Sequence, residues 1–185
     1  MIDEGVTQIS DLSHNMLKYA REWKIEPKPV DMASLAGKIA AAIGQNAQER
    51  GVAVHTELPD SMPEAFCDPS LIHMCLMDIV SNALDACEFK EYSDGEEAEI
   101  RIQVFSDLEK GTVVVQIKDN GIGMKPEIVE NIFTPFFSTK KKWGTGLGLA
   151  ITKRIIDLHN GKVVVESESG EGAEFRITLP LKSPP

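Results

Sequence analysis

The chain has 185 residues, enough for one sizeable core with a short appendage. Its 42% hydrophobic and 26% charged content is ordinary for a soluble domain, and a net charge of −10 argues against nucleic-acid binding, which needs a basic face. No apolar run approaches the roughly 18 residues of a membrane span, so no membrane contact is expected, and Met1–Gly5 lacks the basic and apolar regions of a signal peptide.

Residues 5–24 read as a helix, with Ile9, Leu12, Met16, Leu17 and Ala20 near helical spacing. Pro27 and Pro29 end it and form a stiff hinge. Asp31 suits the N-cap of a second helix running to Arg50, with Leu35, Ile39, Ala42 and Ile43 inward and Gly51 as its stop. Val52–Leu58 alternates as a strand, Pro59 to Pro63 is a turn, and Ala65–Cys67 is a short strand. Asp68 caps a third helix to Cys87, with Pro69 at its first position. The acidic stretch Glu88–Glu99 reads as a solvated loop. Ile100–Phe105 and Thr112–Lys118 are strands joined by a turn at Glu109-Lys110-Gly111. Pro126–Ile132 is a short helix, and Phe133–Trp143 is irregular with a basic run, Lys140-Lys141-Lys142. Leu147–His159 is a helix ended by Asn160-Gly161, and Lys162–Ser167 and Ala173–Leu179 form a hairpin around Gly170-Glu171-Gly172. The pattern is an α/β two-layer sandwich preceded by a hinged helix. Cys67, Cys75 and Cys87 form no CxxC pair and read as reduced, buried thiols of a cytoplasmic protein; His73 and Cys75 point apart on their helix and make a poor zinc pair.

On the third helix, Asp78, Asn82 and Asp85 stand at i, i+4 and i+7 and share one stripe, opposite Ile72, Leu76, Ile79, Val80, Ala83 and Leu84. An amide oxygen flanked by two carboxylates is a donor set for a hard cation such as Mg²⁺, for which one Asn oxygen suffices beside phosphates and water. Taken alone, such a stripe is more often a solvated face.

Asp119 follows the β-branched strand Val113-Val114-Val115-Gln116-Ile117, and Asn120-Gly121-Ile122-Gly123-Met124 follows it. A strand-end carboxylate accepts a hydrogen bond from an exocyclic amine such as the adenine N6, and Gly121 and Gly123 let backbone approach the ring. Gly144-Thr145-Gly146-Leu147-Gly148-Leu149 opens a helix whose free N–H groups and dipole suit phosphates. It is neither a Walker loop nor a dinucleotide fingerprint. Between the two glycine clusters, Phe133 and its neighbouring aromatics pin a mobile segment, and Ser138, Thr139 and Lys140 are placed to meet a triphosphate, Lys140 as a point charge.

Asp78–Ala86 looks like an N box, Asp119–Met124 and Gly144–Leu149 like the first two glycine boxes, Ile132–Lys140 like an F box, and Gly170–Phe175 like a third glycine box. In this order they resemble the ATP-binding catalytic domain of two-component sensor histidine kinases, in the wider Bergerat-fold ATPase superfamily, over residues 31–181. The F box and short lid look most like the nitrogen-regulator type. The resemblance implies a mixed, mostly antiparallel sheet faced by three helices. It implies Mg²⁺ on Asn82, adenine on Asp119 and ATP phosphates on the Gly146–Leu149 turn. Residues 1–30 look like the end of the second helix of a dimerisation hairpin plus linker, and 182–185 form a tail. The implied partners are the histidine-bearing hairpin and the receiver domain of a response regulator. Half a hairpin should dimerise poorly, so a monomer is expected.

Some positions depart from the family pattern. His14 lacks the acidic neighbour and following proline of a phosphoacceptor, so the acceptor histidine is expected outside this chain. Asp78 stands where these kinases often carry Asn, which suggests either a catalytic acid–base role or a place beside the Mg²⁺. Ala173 replaces a usual threonine, and Asn160 a common glycine. A Bergerat ATPase with water as acceptor, an anti-sigma-type serine kinase and a nucleotide-sensing module without transfer are the alternative readings.

Overall fold

The computed structural model of the chain describes residues 23–140 and 144–181. Two aspartates begin the long helices as their context requires. Asp31 accepts from the Ser34 N–H at 2.9 Å and starts α1 (Met32–Glu49). Asp68 accepts from the N–H groups of Ser70 and Leu71 and starts α2 (Pro69–Glu88), with Pro69 where its missing N–H costs nothing. In α1, Met32, Leu35, Ala36, Ile39, Ile43 and Ala47 form the buried stripe; Ala42, expected inward, is exposed because it lies off that arc.

The main sheet runs β2 (Val52–Glu57), β4 (Ala98–Asp107), β5 (Thr112–Asp119), β7 (Gly172–Pro180), β6 (Lys162–Glu168). Its pairings are antiparallel except β2 with β4, which are parallel and connected through α2. Ile100, Ile102, Val104, Val115, Ile117, Phe175, Ile177 and Leu179 project from its inner face onto α1, α2 and α4 (Gly148–Leu158). The outer face carries Arg101, Gln116, Lys118 and Arg176, exposed or half-buried. This is the expected mixed, mostly antiparallel sheet faced by three helices. A single helical turn, α3 (Pro126–Val129), is shorter than the 126–132 expected from sequence.

The region read as a hinge holds a strand instead. β1 (Lys28–Val30) pairs antiparallel with β3 (Ala65–Cys67), Pro29 opposite Phe66. Proline is tolerated because this two-stranded ribbon has only edges. The Glu26 N–H reaches the Asp68 carboxylate at 3.1 Å, and Trp23 packs on the core. The helix expected over 5–24 lies outside the described residues apart from Trp23 and Lys24, which are not helical; His14 and the 182–185 tail lie outside them as well.

By length and composition α2 is apolar enough to cross a membrane, with a mean hydropathy of 1.2. Its Ile72, Leu76, Ile79, Val80 and Leu84 are instead consumed by the core. Cys67, Cys75 and Cys87 are free and buried, and burial pushes the Cys67 and Cys75 thiols up to about 12. Ile79 is fully buried between α2 and the sheet. Ile79→Ala is expected to lower the unfolding free energy by about 2–5 kcal/mol in urea titrations, without a change in slope.

Candidate functional site

Three segments come together along the polar stripe of α2. At its upstream end the Asp78 carboxylate packs against Gly148, where α4 begins, and accepts from the Thr152 hydroxyl at 3.3 Å. A side chain at Gly148 would strike that carboxylate. One turn on, the Lys140 ammonium donates to Asn82 Oδ1 at 2.9 Å and to Asp85 Oδ2 at 2.6 Å. Further on, the Ile122 N–H donates to the Ala86 carbonyl at 3.0 Å. From Asp78 to Ala86 the helix rises about 12 Å, so one face touches the start of α4, Lys140 and the loop after β5 within that length.

Asp119 ends β5, the central strand, and is 3% exposed. Burial raises its carboxyl from 3.8 to about 6, against the lowering effect of the Gly121 and Ala173 N–H groups and of Lys90. The Gly121 N–H bonds Asp119 Oδ1 at 2.9 Å. The loop that follows leaves no room for side chains: a Cβ at Gly121 would enter the backbone of Ala86 and Cys87, and one at Gly123 the carbonyl of Glu168. The Met124 N–H donates to Ser167 Oγ at 2.9 Å, which donates to the Gly172 carbonyl at 2.6 Å. The Ile122 side chain remains 42% exposed beside Asp119, whereas Met124 leans on the core.

Helix α4 starts at Gly148 with no side-chain cap on its first N–H groups. Leu147 lies fully in the core and Leu149 packs against it, so these two residues bring backbone rather than side chains to the site. The Gly146 carbonyl accepts from the Phe136 N–H at 2.8 Å, which ties the second glycine cluster to the F-box segment. Phe133 packs against the core, while Phe136 is 58% exposed and holds a positive φ of 67°. Ser138 Oγ accepts from the Lys140 N–H and lies over Gly144, whose N–H bonds the Lys140 carbonyl. Thr139 is exposed and Thr145 half-buried in the same segment. Lys141 and Lys142 lie outside the described residues.

Four features were not anticipated. Arg50 Nη1 bonds Asp85 Oδ1 at 2.9 Å and Glu88 Oε2 at 3.0 Å, so Asp85 stands between two cations. The stretch expected as a solvated loop is pinned to Asn120: Lys90 Nζ bonds its carbonyl, and Tyr92 Oη and the Glu99 N–H bond its side-chain oxygen. Thr152 holds Asp78, a hydroxyl on an otherwise apolar helix face that was a legible signal. His159 is buried and joins α4 to the start of α2; its Nε2 accepts from the Asp68 N–H at 2.9 Å, and its Nδ1 donates to the Ile155 carbonyl at 2.7 Å.

The donors fit a hard cation, since an amide oxygen and a carboxylate oxygen already converge on one ammonium. On the same face of α2 lie a buried acid, a loop whose two glycines have no room for side chains, and an uncapped helix start. Because the folded carboxyl of Asp119 titrates above its unfolded value, its stabilising form is the protonated one. That contribution is complete below the unfolded value and is lost as pH rises through about 6. Between pH 4 and 7 the wild type should lose about 2 kcal/mol of stability relative to Asp119→Asn, read from denaturant midpoints across that range.

Residues 67–183 match the family described as histidine kinase-, DNA gyrase B-, and HSP90-like ATPase. Sporulation kinase E of Bacillus subtilis is 34% identical over 131 residues, which is 71% of this chain and 16% of that protein. The solved catalytic domain of the histidine kinase ThkA is 28% identical and covers 84% of this chain and 95% of its own, with a TM-score of 0.71. Full-length ShkA, solved in complex with AMPPNP, is 26% identical and covers 96% of this chain and 36% of its own, with a TM-score of 0.79. The chain spans about a third or less of the first curated relatives it matches.

Proposed function

We propose that this chain, which belongs to the histidine kinase-, DNA gyrase B-, and HSP90-like ATPases and carries the ATP-binding domain of a histidine kinase, transfers the γ-phosphoryl of ATP to a histidine. The acceptor belongs to a dimerisation hairpin, and the receiver domain of a response regulator takes the phosphoryl next. The observation that carries this reading is the alignment of three segments along α2, with the buried acid at one end and the uncapped start of α4 at the other.

Asp119 receives the adenine amine, and Gly121 and Gly123 let the ring lie against backbone, flanked by the exposed Ile122. The first N–H groups of α4, with Gly144 to Leu149 before and within them, hold phosphate oxygens. Asn82 provides the oxygen for Mg²⁺, beside Asp85. A divalent cation there withdraws charge from the phosphates. Lys140, with Ser138 and Thr139 on the same segment, turns to the phosphates as they arrive, and Phe133 anchors that segment to the core. In the transfer, the bond from the γ-phosphorus to its bridging oxygen breaks and ADP leaves with the electron pair. A phosphorus–nitrogen bond forms, and the imidazole proton passes to solvent. The chain's contribution is position and charge neutralisation, which is most of what phosphoryl transfer requires.

Asp78 is a positioning residue in this reading. Its carboxylate is engaged by Thr152 and packed against Gly148, so it sets where α4 begins relative to Asn82. This arrangement leaves it poorly placed to activate a water, and a histidine acceptor fits better than a water acceptor.

Supplied with a histidine-bearing hairpin and γ-labelled ATP, the chain should give acid-labile, alkali-stable phosphate on the hairpin. Acid-stable phosphate on a protein, or free phosphate alone, would reject the histidine acceptor. Asp119→Ala should weaken ADP binding tenfold or more, about 1.4 kcal/mol, by calorimetry. Asn82→Ala should lose the Mg²⁺-dependent part of ATP affinity and leave ADP affinity without metal unchanged.

A further inference from the structure

We propose that Asn82 and Asp85 together form the cation site, and that Lys140 occupies it as a built-in stand-in while no nucleotide is bound. This rests on the nucleotide-site reading above and adds a second oxygen ligand and a regulation to it.

The Lys140 ammonium touches two oxygens of different residues, Asn82 Oδ1 at 2.9 Å and Asp85 Oδ2 at 2.6 Å. Those residues stand three apart on α2 and so present their side chains to one point. The second Asp85 oxygen is taken by Arg50 at 2.9 Å, which aims the first one at Lys140. The pair is half-buried, with side-chain exposures of 33% for Lys140 and 28% for Asp85, so it is screened less than a surface pair. A compact, monovalent ammonium on a flexible stem suits a cation that must leave. The Lys140 backbone is held at both ends, its N–H on Ser138 Oγ and its carbonyl by the Gly144 N–H.

A free divalent cation therefore meets oxygens already neutralised by Lys140 and binds the empty protein weakly. When a metal–nucleotide complex arrives, the phosphates offer Lys140 a new partner, and the vacated oxygens receive the metal. Arg50 remains on Asp85 throughout, so the carboxylate never faces the triphosphate uncompensated. The exchange favours the metal–nucleotide complex over either component alone.

The test is Mn²⁺ binding to the nucleotide-free chain, followed by electron paramagnetic resonance. Lys140→Met and Lys140→Gln should each bind Mn²⁺ at least tenfold more tightly than the wild type, and Lys140→Arg should stay weak. Adding Asp85→Asn to Lys140→Met should abolish the gain. Equal Mn²⁺ affinity in the wild type and both neutral variants would overturn the stand-in role; a gain that survives Asp85→Asn would overturn the role of Asp85. Binding of a fluorescent ADP analogue by the wild type, measured in parallel, tests the nucleotide site separately: its absence rejects that reading whatever the Mn²⁺ result.

Discussion

Asp119 is kept below the surface by backbone that passes too close to its neighbours to carry side chains, and the rest of the site is arranged around that fact. It ends the central strand, registered opposite Ile100 on β4 and Ala173 on β7. Beyond it the chain runs against the end of α2 at Gly121 and against the β6–β7 turn at Gly123. This brings the loop after β5, α2 and the hairpin of β6 and β7 into direct backbone contact. A carboxylate held there resists ionisation, which is costly to the fold and useful for a ligand that presents an N–H donor. The small-residue sequence around it follows from the space available.

The second shared support is α2 itself. Its apolar half is fixed in the core and its polar half meets three other segments, so a displacement of one reaches the others through a rigid rod. Its N-terminus is tied in a similar way. Asp68 accepts from the Glu26 N–H of the linker with one carboxylate oxygen, caps α2 with the other, and donates its own N–H to His159 at the end of α4. The segment at Glu26, the helix bearing Asn82 and the end of α4 therefore meet at one residue, tied by hydrogen bonds rather than left as a free hinge. The strand pairing of β1 with β3 strengthens that connection.

Much of this was legible because its causes are local. The aspartate caps of α1 and α2, the stripe of Asp78, Asn82 and Asp85, and the glycine pairs each declare themselves within a few residues. What was missed depends on partners distant in sequence. Pro29 reads as a breaker, and only its pairing with Phe66 makes it a strand residue. The polar stretch after α2 reads as solvated, yet Lys90 and Tyr92 are spent on Asn120, whose place beside them comes from the sheet register. Arg50 looked like the end of a helix because Asp85, its partner, lies 35 residues away. Asp78 reads as either an acid–base group or a neighbour of the Mg²⁺; its contact with Gly148 and Thr152 emerges only when α2 and α4 are packed together.

A chain of net charge −10 that holds a triphosphate must solve a problem of repulsion. The structure meets it with cations that are already engaged. Arg50 lies on Asp85 and Glu88, Lys140 on Asp85, and Lys90 on Glu96 and the Asn120 carbonyl. Each is a local positive charge matched by an internal acid or dipole. A polyanion then competes with internal carboxylates for these groups, and the free energy of binding is the difference between two sets of ion pairs. Such a difference is small per pair in half-buried surroundings. In the proposed arrangement, affinity depends on a divalent cation that neutralises the carboxylate Lys140 leaves behind and on the buried contacts of a base at Asp119, where no exchange of charge is required.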